Sequence, residues 1–228
     1  MKKFFILFTV AGFFITSCNN NTDSFVTSDS TSDSNEVATT HGDATHGATT
    51  PVGQDTAGMA RGLMPGMSSM MASMKSMQMT GDFDADYANA MIMHHQGALD
   101  MAQVAVSEGQ DAKMKSMAQQ IISKQKTEQD NLKTFVQNYK PSGMKHGEGA
   151  LQKSMDAMAA KMMDMPMSNS TDQDFATMMI AHHEHGIAMD KLQVEHGMDD
   201  KLKAMAKKSI SSQQKEIKEF KEWVATAK

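Results

Sequence analysis

The sequence predicts an all-α fold: a four-helix bundle made from two internal repeats, with two additional Met-rich helices. Three observations carry this. From Leu63 onward the chain repeats itself without a gap at an offset of 88 residues, the distance from His94 to His182. Apolar residues recur at helical spacing, and no segment alternates as a strand would. Helix start and stop residues fall at matching places in both copies.

The N-terminal part stands apart from the repeat. Residues 1–17 carry Lys2 and Lys3, a short apolar run and then small residues, which predicts a signal peptide. The run is too short and too N-terminal to be read first as a spanning helix. Ile15-Thr16-Ser17-Cys18 resembles a bacterial lipobox, in which cleavage precedes the cysteine and lipid is attached to its thiol. An ordinary signal peptide with a chance cysteine is the alternative. On either reading the chain is exported. The lipobox adds a lipid anchor on Cys18, in the bacterial cell envelope at a periplasmic or outer-membrane face. Cys18 is the single cysteine, so disulfides and thiolate metal sites are excluded elsewhere. Residues 18–58 are rich in Ser, Thr, Asp, Asn and Gly and read as a flexible tether, with His41 and His46 part of that polar linker. Residues 59–228 form the duplicated domain, with repeats at about 63–140 and 151–228.

Each copy reads as three helices. The first is short and Met-rich, over 64–79 and 152–166; here Met67, Met70 and Met74 align with Met155, Met158 and Met162. The second spans 83–108 and 171–196. Asp82 is its expected N-cap in one copy, and Ser170-Thr171-Asp172-Gln173 matches a capping box in the other. Gly109 and Gly197 stand where a left-handed glycine closes a helix. The third helix spans 111–139 and 199–227, capped by Asp111 and Asp199, and Pro141 stops the first of these.

Composition narrows the function classes. There are 26 Met against seven Leu. Net charge is −5, and losing Lys2 and Lys3 with the leader makes it −7. No basic stripe is present to neutralise phosphates, so nucleic acid is not an expected partner. No nucleophile–base pair or phosphate-cradling loop supports hydrolase or kinase chemistry.

The residues that ask for an explanation are His94-His95 and His182-His183. On a wheel of 3.6 residues per turn, Tyr87, Met91, His94, Ala98 and Met101 form one apolar stripe, with His95 on its edge. Phe175, Met179, His182, Gly186 and Met189 do the same in the second copy, with His183 on the edge. Ala98 and Gly186 leave room beside the imidazoles. Pseudo-twofold packing of the two copies would let the pairs meet across the bundle, where such folds build ligand sites, in one shared site or in two. Buried imidazoles need partners: one another, carboxylates or a metal. Imidazole with thioether, and no cysteine, favours copper, Cu(I) in particular with Cu(II) also compatible. A di-iron carboxylate site would need Glu-x-x-His, and the chain has Met91-x-x-His94 and Met179-x-x-His182 at that spacing.

Other candidates carry plainer readings. Asp84, Asp86, Asp172 and Asp174 read as support for their helix N-termini. Most single methionines read as core filler. The 64–79 segment shows Met on several faces between Ser and Lys, so some sulfurs should be exposed, suiting soft-metal capture or an adaptable interaction surface. His185 aligns with Gly97, off the stripe, and is expected to be peripheral. His196, in a last helical turn, and His146, in a Gly-rich connector, read as structural or solvated.

The duplicated pattern of Asp86 with Met91-Ile92-x-His94-His95 and Met101, and of Asp174 with Met179-Ile180-x-His182-His183 and Met189, resembles the DUF305 family over residues 80–228. The resemblance implies a ferritin-like helical bundle and an exported copper-binding protein of the kind implicated in copper tolerance. It implies a metal site at His94, His95, His182 and His183, with Met91, Met101, Met179 and Met189 beside it. Met93 and Ala181 stand where many members have Pro, and Glu184-His185-Gly186 replaces a Gln-rich continuation.

The expectation is a lipid-anchored bundle, not an enzyme, that sequesters copper or transfers it to a copper-exporting or copper-accepting partner. Two alternatives stay open: a metal-dependent redox enzyme of the bundle type, and a non-metal interaction module with a Met-rich face.

Overall fold

The computed structural model describes residues 56–147, 149–168 and 170–227. The leader, Cys18 and the tether histidines His41 and His46 lie outside the described residues. Six helices follow in order: α1 (Thr56–Ser76), α2 (Phe83–Glu108), α3 (Ala112–Asn138), α4 (Ala150–Met163), α5 (Thr171–His196) and α6 (Asp200–Thr226). Among the described residues all regular structure is helical, as expected. No described helix is long and apolar enough to cross a membrane.

The four long helices start and stop where their sequence signals stand. Side chains of Asp82, Asp111, Ser170 and Asp199 accept the backbone N–H three residues on, at Ala85, Met114, Gln173 and Leu202. The reciprocal half of the capping box does not form, because the Ser170 N–H donates instead to Ser168 Oγ. The Met-rich helices end early. α1 stops at Ser76 because Asp86 accepts from the N–H groups of Thr80 and Gly81 at 2.8 and 2.9 Å and turns the chain there. α4 stops at Met163, before Pro166 disfavours helical geometry in the residue preceding it. α1 also begins upstream of the predicted segment and runs through Pro65.

Gly109 and Gly197 correct an expectation. Both are extended, with φ of −60° and −64°, so handedness is not why glycine stands there. The reason is close approach. A Cβ at Gly109 would lie 2.6 Å from Asp172 Oδ1.

That carboxylate points to a second correction. Asp172, on α5, accepts the N–H groups of Gln110 and Asp111 in the α2–α3 turn, at 2.8 and 3.0 Å. Asp84, on α2, accepts those of Met198 and Asp199 in the α5–α6 turn, at 2.9 and 3.0 Å, and that of Gln193 Nε2 at 2.6 Å. Asp84 and Asp172 therefore clamp the opposite hairpin rather than their own helix starts. Charge-assisted bonds of this kind are about twice as strong as neutral ones. They lock α2 against α5 and so fix the register of the histidines those helices carry. The core fills the space between, with Met67, Met91, Met101, Met179, Met189 and Phe175 among its fully buried side chains.

Candidate metal centre

α2 and α5 bring both histidine pairs to one level of the core. The His94 and His182 rings stack, with centroids 3.7 Å apart and planes 28° from parallel. His95 lies 6.4 Å from His94, and His183 lies 6.0 Å from His182. All four are buried. Gly186 makes this approach possible: a Cβ there would lie 3.0 Å from His94 Cε1 and 2.5 Å from Gln213 Oε1. His185 joins the cluster, against expectation. It is buried, with its ring 5.1 Å from His94. Its counterpart Gly97 leaves the equivalent space to Met70 of α1, whose Sδ lies 2.5 Å from where a Cβ would be.

Two carboxylates that sequence reading passed over face the edge histidines. His95 Nε2 lies 3.5 Å from Glu128 Oε2 on α3. His183 Nε2 lies 2.7 Å from Glu216 Oε2 on α6, at ion-pair distance but off the hydrogen-bond direction. Glu128 and Glu216 are themselves 88 residues apart, so the repeat held the signal that would have found them. Their settings differ. Lys124 reaches Glu216 Oε1 at 2.6 Å and also bonds Ser212. Burial opposes charge on Glu216, yet His183 and Lys124 beside it hold its carboxyl down at about 2. Burial pushes Glu128 upward, Lys124 pulls it down, and the Glu216 charge adds to the rise. Behind His95, the Tyr87 hydroxyl donates to Asp190 Oδ1 at 2.6 Å, and Gln213 Nε2 donates to Asp190 Oδ2 at 3.1 Å. Burial pushes Asp190 up to about 7, against the pull of the Tyr87 and Ser209 hydroxyls.

Burial also keeps His94, His95, His182 and His185 neutral. It drives His94 well below 6.5, with His182 and His185 adding to the fall. It takes His95 to about 3, helped by Lys124, and His185 to about 4. His182 falls well below 6.5 for the same reason, with His183 adding and the His94 carbonyl opposing.

Neutral imidazoles carry a lone pair, and here several are unmatched. Both ring nitrogens of His94 and of His185, and Nδ1 of His95, His182 and His183, have no hydrogen-bond partner in the protein. A buried polar atom without a partner costs about 1–3 kcal/mol, so a cluster of them fits a bound cation. Among the described residues, no three His, Asp or Glu side chains yet converge on one point. Stacked rings hold their lone pairs in near-parallel planes, so ligation requires the rings to turn. Of the four expected thioethers, Met91 and Met179 lie one turn from His94 and His182. Met101 and Met189 lie about 10 Å further along the axis. Met91 shares a cavity with His95, and all four methionines are buried. His146 and His196 pack at Phe83, about 16 Å along α2 from His94, away from the paired histidines.

The Met-rich helices meet beside α2 and α5. Within the predicted 64–79 segment Met67, Met70 and Met74 are buried, Met64, Met71 and Met77 are half-buried, and Met79 is exposed. Some of these thioethers therefore reach the surface, and the rest pack into the core. Met71, Met74, Met155 and Met158 line a cleft of about 200 Å³ between α1 and α4.

Fold and site define a helical bundle whose core is organised around a cluster of buried imidazoles with unmatched ring nitrogens. The chain belongs to the DUF305 family (Domain of unknown function), which it matches over residues 29–136 and 84–224. It is similar to a structure of CopM in the Ag-bound form, obtained by soaking, at 27% identity and a TM-score of 0.50, over 66% of this chain and 98% of that one. CopM in the Cu(II)-bound form is similar at 27% identity and a TM-score of 0.49, over 64% and 98% of the two chains. A DUF305 fragment from Deinococcus radiodurans follows at 20% identity and a TM-score of 0.48, over 63% and 95%. No curated protein sequence matches the chain.

Proposed function

We propose that this protein captures copper in the bacterial envelope, Cu(I) before Cu(II), and either holds it or passes it to a copper-handling partner. The observation that carries the reading is the cluster of buried imidazoles with unmatched nitrogens at the His94–His182 level. Imidazole and thioether donors without thiolate select copper, and thioether selects the monovalent ion. The similarity to CopM in its Ag-bound form supports a soft monovalent cargo. His94, His95, His182 and His183 are the proposed ligands. Met91 and Met179 stand nearest to complete the set, and Met101 and Met189 extend the thioether surround. The cleft of Met71, Met74, Met155 and Met158 supplies further Cu(I) capacity. The role is carriage, not catalysis. Export with the leader and attachment through Cys18 place the protein at a membrane surface, between copper entering the envelope and the partner that removes it.

The test is anaerobic Cu(I) titration against a competing chelator, with wild type beside a variant in which His94, His95, His182 and His183 are changed to Ala. Loss of tight binding in a variant that stays helical supports the core site. Equal binding by both assigns the copper to the thioether cleft. No binding by wild type removes the copper reading.

A further inference from the structure

We propose that copper reaches the buried imidazoles through the His95 side of the bundle, by a port whose mouth carries Glu128. This rests on the copper-binding reading above. A cavity of about 80 Å³ opens between α2, α3, α5 and α6, with His95, Met91 and Tyr87 among its lining. Glu128 and Met205 stand higher, half-buried, and the exposed Asn131 and Lys208 form the rim. An ion entering here meets a carboxylate, then a thioether, then the His95 imidazole. The ionisable groups facing it are Glu128, Asp190 and Lys208. Asp190 is engaged by Tyr87 and Gln213, which leaves Glu128 as the carboxylate that greets the ion.

Repeat-related positions differ in volume on the two sides. Tyr87 corresponds to Phe175 and Leu132 to Phe220, at the same offset of 88 that relates His94 to His182. Phe175 and Phe220 are fully buried and pack edge-on at 5.6 Å, with Phe220 6.2 Å from the His183 ring. Leu132 is smaller than Phe220 and lines the cavity. The carboxylates follow the same division. Glu216 is tied to Lys124 at 2.6 Å, whereas Glu128 stands 3.5 Å from His95. One His–Glu pair thus packs beside Phe220 with its carboxylate bonded to Lys124, and its counterpart lines the cavity. Carboxylates lining a concave opening raise the local cation concentration and speed capture, and salt weakens that effect.

The experiment is stopped-flow loading of the purified protein with Cu(I) delivered as a weak chromogenic chelate, reading rate and end point separately. Leu132→Phe fills the cavity as Phe220 fills the other side. Glu128→Gln removes the charge without changing volume and keeps the test valid if the larger side chain disturbs folding. Leu132→Phe is expected to slow loading at least tenfold at an unchanged copper-to-protein ratio. Glu128→Gln is expected to slow it several-fold and to flatten its dependence on ionic strength. Wild-type loading rates in both variants overturn the port. A lower end point in Glu128→Gln also overturns it, since Glu128 would then be a fixed ligand. If wild type takes up no copper, the functional reading fails and the port with it.

Discussion

His182 Nε2 lies 2.9 Å from the backbone carbonyl oxygen of His94. A carbonyl can only accept, so Nε2 carries the proton and donates. The lone pair of His182 is then on Nδ1, an atom with no partner in the protein. While this bond holds, Nδ1 is the nitrogen open to a metal ion. Nitrogen-15 NMR of the copper-free protein is expected to show His182 as the Nε2–H tautomer, with Nδ1 the resonance that moves on adding Ag(I) or Cu(I). A copper-free protein in the Nδ1–H tautomer would remove the assignment.

Acid should unfold the copper-free protein early. The buried His94, His95, His182 and His185 take up protons in the unfolded chain near 6.5 but resist them when folded, down to about 3 for His95 and about 4 for His185. The unfolded state thus binds more protons across that window, and stability falls as pH falls from 6.5 toward about 4. Each such imidazole contributes a slope of about 1.4 kcal/mol per pH unit. Asp190 works in the opposite sense between 3.8 and about 7, because its folded carboxyl keeps its proton longer. Glu128, also pushed up by burial, adds to that opposition, but two carboxyls do not offset four imidazoles, so the net slope stays positive. Urea midpoints measured from pH 7 to 4 check the sign, and a flat profile contradicts it.

Asp84 and Asp172 should behave as interlocks between hairpins. Asp84→Ala strands the N–H groups of Met198 and Asp199 and the Gln193 amide. A loss of about 3 kcal/mol is expected, since bonds to charged groups are worth about 1.5–3 kcal/mol each and water recovers part of the loss. Amide exchange should rise first at Met198 and Asp199. A variant within 0.5 kcal/mol of wild type, about the scatter of neutral surface changes, would show the clamp to be incidental.

Gly186→Ala tests the approach of the two helices. Its Cβ would meet Gln213 Oε1 at 2.5 Å and His94 Cε1 at 3.0 Å. Gln213 is held by Ser209 and Asp190, so it cannot retreat freely. A destabilisation of about 1–3 kcal/mol is expected, the usual cost of overpacking. A displaced His94 ring should lower Cu(I) affinity as well. Calorimetry and chelator competition on the same sample separate the two effects.

Changing Met71, Met74, Met155 and Met158 to Leu leaves volume nearly unchanged, and such swaps usually cost under about 1.5 kcal/mol each. If the cleft holds copper, the variant loses Cu(I) equivalents but keeps its helicity and the His-dependent tight binding. Unchanged stoichiometry assigns these methionines to packing alone.

Much of this protein was legible in its sequence. The starts of α2 and α5 follow from Asp82 and Ser170, because capping is a local interaction between residues two or three apart. Helical periodicity placed His94, His182, Met91 and Met179 on the buried stripe for the same reason: a helix fixes which residues share a face. The offset of 88 tied the two copies together. What the sequence could not give was every feature that depends on distance across the fold. Whether His185 is peripheral depends on how α4 and α5 pack, not on its place in the wheel. Asp84 and Asp172 reach turns of the other hairpin, more than 60 residues away in each case, so no local rule finds them. The Glu128 and Glu216 partners, the His94–His182 stack and the opening beside Leu132 arise where four helices meet. Side-chain volumes and lone pairs there are matched only after the chain has folded.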